Sequence, residues 1–277
     1  MSTEYTSLFA IDPSAAAAMG TDELRHNFQI GNLFEPSEIN LTYTHYDRMI
    51  VGGAVPLGQQ LKLESIKPAG TKSLLERREL VVVNIGGEGT VVVSGEQHTL
   101  NTRDMLYVGL GEEVTFSSAK ADTPAKYYLL SAPAHRKCPT QLITLDNAKR
   151  LDLGSQETSN ERSIFQFTTT IDTCQIVVGM TQLAKGSVWN TMPAHVHDRR
   201  MEAYLYFDLA DTARVFHFMG EPSETRHIVM ANEEAVLSPA WSIHSGCGTS
   251  NYAFIWAMAG DNVDYTDVDP VAIGEMR

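Results

Sequence analysis

Leu80–Phe116 reads LVVVNIGGEGTVVVSGEQHTLNTRDMLYVGLGEEVTF, and this stretch decides the fold class. Leu80–Ile85 is an apolar, β-branched run of strand length. Gly86-Gly87-Glu88-Gly89 is a turn, and Thr90–Val93 is the returning strand. Ser94-Gly95-Glu96 turns the chain again into Gln97–Leu100, and Asn101–Asp104 turns it into Met105–Val108. Gly109 and Gly111 flank the next turn, and Val114–Phe116 follows. Short β-branched runs separated every few residues by Gly, Asn and Asp predict antiparallel strands in a sandwich or barrel.

The same rhythm returns in the second half. Tyr204–Leu209, Thr212–Phe218, Arg226–Met230, Glu234–Leu237 and Tyr252–Met258 all read as strands. A shift of 130 residues lays Asp104 on Glu234 and Leu106–Val108 on Val236–Ser238. The expectation is an all-β chain made of two copies of one antiparallel β-barrel, joined near residues 137–160. One large sheet system is the alternative, because the repeat is weak by identity. Helix signals concentrate at the N-terminus. Ser14 is placed to cap the Ala15–Ala18 run, Gly20 to end it, and Thr21 to cap a second short helix with Asp22 and Glu23 in its first turn.

The chain has 277 residues, enough to bury a core without disulfides or metals as staples. Its 21 Lys and Arg against 34 Asp and Glu give a net charge of −13. That balance argues against nucleic acid or an anionic membrane as partner. No apolar run reaches membrane-spanning length. Cys138, Cys174 and Cys247 are odd in number and widely spaced, which gives neither a disulfide framework nor a CxxC metal knuckle. The N-terminal stretch lacks the basic region of a signal peptide, so the cytoplasm is the expected location.

Chemistry concentrates in one place. His195-Val196-His197 is followed by Asp198-Arg199-Arg200-Met201 and then Glu202; His244 comes later, after Pro239. Side chains alternate faces along a strand, so His195 and His197 are expected on one face, roughly 7 Å apart. Glu202 opens the next strand on a face shared with Tyr204 and Tyr206, and His244 is expected from a later strand. Three imidazoles and a carboxylate suit a borderline divalent ion, zinc first and then manganese, iron or nickel, with positions left open for water or substrate. The other six histidines lack such partners and read as structural or solvated.

These residues resemble the cupin metal motifs. His195, His197 and Glu202 fit the first motif; Pro239-Ala240-Trp241-Ser242-Ile243-His244 fits the second, with Trp241 where glycine is usual and Gly248 where asparagine is common. Glu76–Leu80, Asn84–Gly87, Leu106–Gly109, Ala132–His135, Trp189–Pro193, Glu224–Met230 and Ser238–Gly246 narrow the likeness. From about residue 22 onward the chain resembles the 5-keto-4-deoxyuronate isomerase family, also called 4-deoxy-L-threo-5-hexosulose-uronate ketol-isomerases. The resemblance implies two cupin-type, jelly-roll-like barrels: residues 1–140 degenerate and without metal, residues 141–277 metal-binding. Val114 stands where the shift would put His244, and the first half has no HxH pair. The resemblance also implies one zinc per subunit on His195, His197, Glu202 and His244, a homohexamer, and a role in pectin and uronate breakdown.

The activity so implied is an intramolecular oxidoreduction, converting 5-dehydro-4-deoxy-D-glucuronate into 3-deoxy-D-glycero-2,5-hexodiulosonate. A proton leaves C2 and one arrives at C1. Glu202 is occupied as a ligand, so Tyr204 and Tyr206 are the candidates for relaying it, with barrel lining as their other reading. The substrate carboxylate needs a cation: Arg199 and Arg200 lie beside the ligands, and Lys126 or Arg162 could come from elsewhere. A solvated turn is the other reading of Arg199 and Arg200. Trp241 is a candidate pocket wall or ordinary packing. Two further functions use the same residues: an iron-dependent cupin dioxygenase, and a non-catalytic sugar-binding cupin.

Overall fold

The computed structural model describes residues 4–261 and 265–277. It is all-β apart from two short helices and a few single turns of 3₁₀ helix. The strands forecast from the glycine-punctuated runs are present: Arg78–Asn84, Gly89–Val93, Glu96–Leu100, Met105–Val108 and Val114–Ser118 in the first half. Arg200–Phe207, Val215–Glu221, Glu224–Met230, Glu234–Ser238 and Ala253–Gly260 form the second set.

The chain divides into two compact units. The first comprises Met1–Leu8, Asn32–Ala148 and Phe167–Ile176; the second comprises Phe9–Gly31, Lys149–Gln166 and Val177–Arg277. These units are more interleaved than a single cut between residues 140 and 141. Two local interactions explain the exchange. The buried Glu79 carboxylate of the first unit accepts the amides of Cys174, Gln175 and Ile176 at 2.7–2.9 Å and the Tyr107 hydroxyl at 2.6 Å. A buried carboxylate is tolerated only when its lone pairs are satisfied, and here four donors hold the 167–176 segment in place. In the second unit, Gln29–Ile30 pairs with Val236 and Ala235, and Arg25 donates to the Val229 carbonyl.

The two N-terminal helices belong to the second unit. α1 (Pro13–Ala18) is capped by Asp12, whose carboxylate accepts the Ser14 amide at 2.9 Å, with Pro13 in the first turn. Ser14 therefore lies inside the helix instead of capping it. Asp12 wins because its carboxylate is the stronger acceptor and proline is pre-set for the first helical position. α2 (Thr21–Phe28) starts from Gly20, whose amide is held by Glu23 at 3.0 Å.

Each unit is built from a seven-stranded and a four-stranded sheet, and the second also holds the two-stranded pair His195–Val196 with Asp269–Pro270. The described strand pairings keep these sheets separate, so each unit is a jelly-roll-like pair of facing sheets. In the first unit, Arg78–Asn84 lies between Tyr127–Pro133 and Met105–Val108 in the large sheet. The small sheet holds Leu61–Lys62, Val114–Ser118, Gly89–Val93 and Glu96–Leu100. Leu80, Val82 and Val108 of the large sheet meet Val91, Val114 and Phe116 of the small one in a single apolar cluster. In the second unit, Arg200–Phe207 lies between Ala253–Gly260 and Glu234–Ser238. Its small sheet holds Trp189–Asn190, Ser245–Gly248, Val215–Glu221 and Glu224–Met230. Among the described residues no helix is long and apolar enough to cross a membrane.

Candidate metal centre

The second unit brings His195, His197, Glu202 and His244 together, with their ligand atoms all within 4.8 Å of one another. His195 lies in the short strand His195–Val196, paired with Asp269–Pro270. His197 follows that strand instead of continuing it, and a turn leads to Arg200–Phe207, whose third residue is Glu202. His244 comes from the loop just before Ser245–Gly248, not from within a strand. The His244 Nε2 lies 2.9 Å from the His195 Nε2 and 2.9 Å from the Glu202 Oε2, and the His197 Nε2 lies 3.1 Å from the same carboxylate oxygen. Four donors at about 2.1 Å from a common ion would be spaced by about 3 Å or a little more, so the set is of the right size.

The second nitrogens of the rings show why these atoms converge. His197 Nδ1 faces the Arg200 carbonyl at 2.9 Å, and His244 Nδ1 faces the Ser242 carbonyl at 3.4 Å. A carbonyl only accepts, so the imidazole proton belongs on Nδ1 and the Nε2 lone pair points to the centre. Lone pairs and an anionic oxygen, with His197, Glu202 and His244 at most 4% exposed, need positive charge between them. A divalent cation meets that need, and the donor set fits one.

Burial and the Glu202 carboxylate shift the rings in opposite directions. Burial, with His244 acting in the same direction, pushes His195 down to about 3, so its ring is neutral near pH 7. Burial opposes protonation of His197, but the Glu202 hydrogen bond and charge outweigh it and raise this ring. Burial would raise Glu202; its interactions with His244 and His197 instead hold it well below the usual carboxylate range.

His195 and Glu202 open onto a cavity of about 360 Å³. Tyr204 lines it, as the shared face with Glu202 predicts, and its hydroxyl meets Thr191 Oγ1 at 3.1 Å. Burial, reinforced by the Glu202 charge, raises Tyr204 well above the ordinary phenol range, so it keeps its proton. Tyr206 does not line the cavity. Its hydroxyl meets His217 Nδ1 at 2.8 Å in the buried interior of the unit, because the small sheet covers that end of the strand. Arg162 is the one Arg or Lys lining the cavity among the described residues; one of its Nη atoms donates to the Asn160 carbonyl at 2.8 Å.

The other forecast binding residues lie elsewhere. Arg199 is paired with Asp267 at 2.8 Å and Asp269 at 3.3 Å, and Arg200 is fully buried and donates to the Asp267 carbonyl at 2.8 Å. Their charges face carboxylates and carbonyls of this chain, not the cavity. Lys126 belongs to the first unit and is absent from the lining. Trp241 packs edge-on against Phe28 with ring centroids 6.4 Å apart and does not wall the cavity. The lining residues that escaped the sequence reading include Thr191, Thr181, Trp256 and Tyr265. Trp256 alternates with Phe254 and Met258 along one strand, a period-two signal that could have found it. Tyr265 carries no periodic signal.

Residues 33–271 match the description of the KduI/IolB family. The chain is 67% identical over 276 residues to 4-deoxy-L-threo-5-hexosulose-uronate ketol-isomerase 2 of Rhizobium meliloti (strain 1021), covering 99% of this chain and 98% of that protein. The chain belongs to the KduI/IolB family. A ketol-isomerase of Cereibacter sphaeroides (strain ATCC 17029 / ATH 2.4.9), named for the same uronate, is 59% identical over 97% of both chains. An IolB-like protein of Salmonella typhimurium LT2 shares the fold at TM-score 0.61 and 16% identity, over 80% of this chain and 86% of that one. With such relatives this KduI/IolB member is an enzyme, an isomerase that carries out an intramolecular oxidoreduction.

Proposed function

We propose that the chain is a zinc-dependent ketol-isomerase that interconverts 4-deoxy-L-threo-5-hexosulose uronate and 3-deoxy-D-glycero-2,5-hexodiulosonate. The observation that carries this reading is a three-His, one-Glu cluster at a cavity whose one lining cation is Arg162. The names of the relatives supply the substrate, and the donor set favours zinc among divalent ions. The proposal extends to one zinc per subunit, a cytoplasmic homohexamer and a place in uronate catabolism.

His195, His197, Glu202 and His244 would hold the ion, which supplies Lewis-acid stabilisation of the oxyanion formed when C2 loses its proton. The remaining roles belong to the chain. Arg162 takes the substrate carboxylate through a charge-assisted pair. Tyr204 keeps a proton on its hydroxyl at neutral pH, so it donates a hydrogen bond to the oxygen that gains charge and does not remove the C2 proton. Thr191 fixes that hydroxyl from 3.1 Å. Phe254 and Trp256 form an apolar wall that keeps water from the reacting carbons.

The test is to incubate metal-loaded protein with the unsaturated-uronate products of oligogalacturonate lyase and follow the carbonyl by NMR, with metal analysis and oxygen uptake in parallel. Carbonyl migration from C1 to C2 with zinc present and no oxygen consumed is expected. Oxygen uptake with iron would establish the dioxygenase reading, and binding without conversion the non-catalytic one.

A further inference from the structure

The two arginines between the metal-ligand candidates have a job other than binding substrate. Arg199 and Arg200 lie in the connection from His197 to Glu202, and both reach the C-terminal segment Tyr265–Val271. Arg199 grips the Asp267 carboxylate with two parallel bonds, Nε to Oδ2 at 2.8 Å and Nη2 to Oδ1 at 2.8 Å. Its Nη2 also lies 3.3 Å from Asp269 Oδ2. Arg200 donates to the Asp267 main-chain carbonyl at 2.8 Å. The far end of the segment is tied by main-chain bonds to the strand that carries His195: His195 pairs with Pro270, Val196 with Asp269, and the Val271 amide donates to the Ala194 carbonyl at 3.0 Å.

This segment is one wall of the cavity. Tyr265, Thr266 and Val268 line it, and the Tyr265 ring packs on Trp256 with centroids 5.2 Å apart. A segment of this kind has little regular structure of its own, since only Asp269–Pro270 pairs as strand. Its conformation depends on what holds it, and a bidentate guanidinium–carboxylate pair fixes both distance and plane.

We propose that Arg199 is a positioning residue: with Asp267 it clamps the 265–271 strap, so that Tyr265 faces the bound sugar acid, and it sets substrate affinity and not metal retention. The affinity part rests on the isomerase reading; the clamp itself does not.

Two kinds of measurement separate these parts. Hydrogen exchange followed by mass spectrometry reads the strap without any substrate. In Arg199→Gln and in Asp267→Asn, peptides covering 265–271 should exchange faster than in the wild type, while peptides from Arg200–Phe207 keep their protection. Zinc content should stay at the wild-type level in both. In the isomerase assay, KM should rise about fivefold to tenfold, the loss expected when a held hydrogen bond and its wall contact go free, with kcat within about twofold. Arg199→Lys should recover only part of the exchange protection, because an ammonium cannot make the two-point grip. The double variant should be no worse than Arg199→Gln alone, since that change already removes the pair with Asp267.

Unchanged exchange at 265–271 in both single variants would overturn the clamp. Faster exchange with KM unchanged, or with kcat and zinc lost together, would overturn the affinity role. A wild-type protein that fails to turn over the uronate would defeat the isomerase reading while the exchange result still decides the clamp.

Discussion

The two units use one strand plan for opposite ends. In the first, Arg78–Asn84 is flanked by Tyr127–Pro133 and Met105–Val108; in the second, Arg200–Phe207 is flanked by Ala253–Gly260 and Glu234–Ser238. Leu80 pairs with Val108 where Glu202 pairs with Ser238. Two residues further on, Val82 answers to Tyr204. In the small sheets, Val91 pairs with Phe116 where His217 pairs with Gly246. The first unit fills these inward positions with Leu and Val and closes into an apolar core. The second fills them with a carboxylate, a phenol and an imidazole. Gly246 is small for a reason, since a Cβ there would lie 2.7 Å from Asn190 Nδ2 and 3.0 Å from the Tyr206 hydroxyl. The first unit fills this frame with an apolar core, and the polar residues at the matching places in the second lie at or beside a cluster that could hold a metal ion.

The most severe way to break the difference is to give the second unit the first unit's residue. Glu202→Leu should abolish zinc binding and lower turnover at least about a thousandfold, because the loss exceeds that of a single oxyanion donor. Far-ultraviolet circular dichroism should be preserved, as leucine already occupies the matching place in the first unit. Metal content by mass spectrometry decides the matter; full zinc occupancy in the variant would remove Glu202 from the ligand set.

A smaller effect is expected at the cavity's one lining cation. Arg162→Gln should raise KM about tenfold to a hundredfold, the worth of a hydrogen bond to a charged group, with a lesser change in kcat. Steady-state kinetics read this directly, and an unchanged KM would mean that the carboxylate is held elsewhere.

The smallest effect concerns His217, the polar counterpart of Val91. Burial, with His244 acting in the same direction, pushes its ring down to about 3, so the folded protein leaves it neutral while the unfolded chain protonates it below its ordinary value of 6.5. The unfolded state therefore binds the extra proton, and stability falls as pH drops from 6.5 toward 3, by at most about 1.4 kcal/mol per pH unit from this group. Urea denaturation at pH 7.0 and 5.5 should show that loss in the wild type, and His217→Asn should show less of it. Equal slopes in the two proteins would remove His217 as a source.

Much of this was legible in the residues. The strands could be read from β-branched runs punctuated by glycine, because strand length and period are local properties. The four-residue cluster could be read because two ligands lie next but one in sequence and Glu202 follows at a short offset. Tyr204 could be placed because it shares a strand face with Glu202. Which of the candidate cations lines the cavity could not: Arg199 and Arg200 lie nearest the ligands in sequence, yet each turns to partners some seventy residues away, and Arg162, a candidate with no spacing to favour it, is the one in the lining.

Sequence by itself determined the all-β class, the duplicated rhythm and which side chains can meet at a centre, since those depend on alternation and short spacing. Only the tertiary structure decided which residues wall the cavity, that Arg162 faces it while Arg199 and Arg200 hold the 265–271 segment, and that residues 9–31 and 167–176 each join the unit they do. Those outcomes depend on contacts between segments far apart in the chain, where burial forces each charge to the partner that satisfies it and local pattern carries no information about which partner that is.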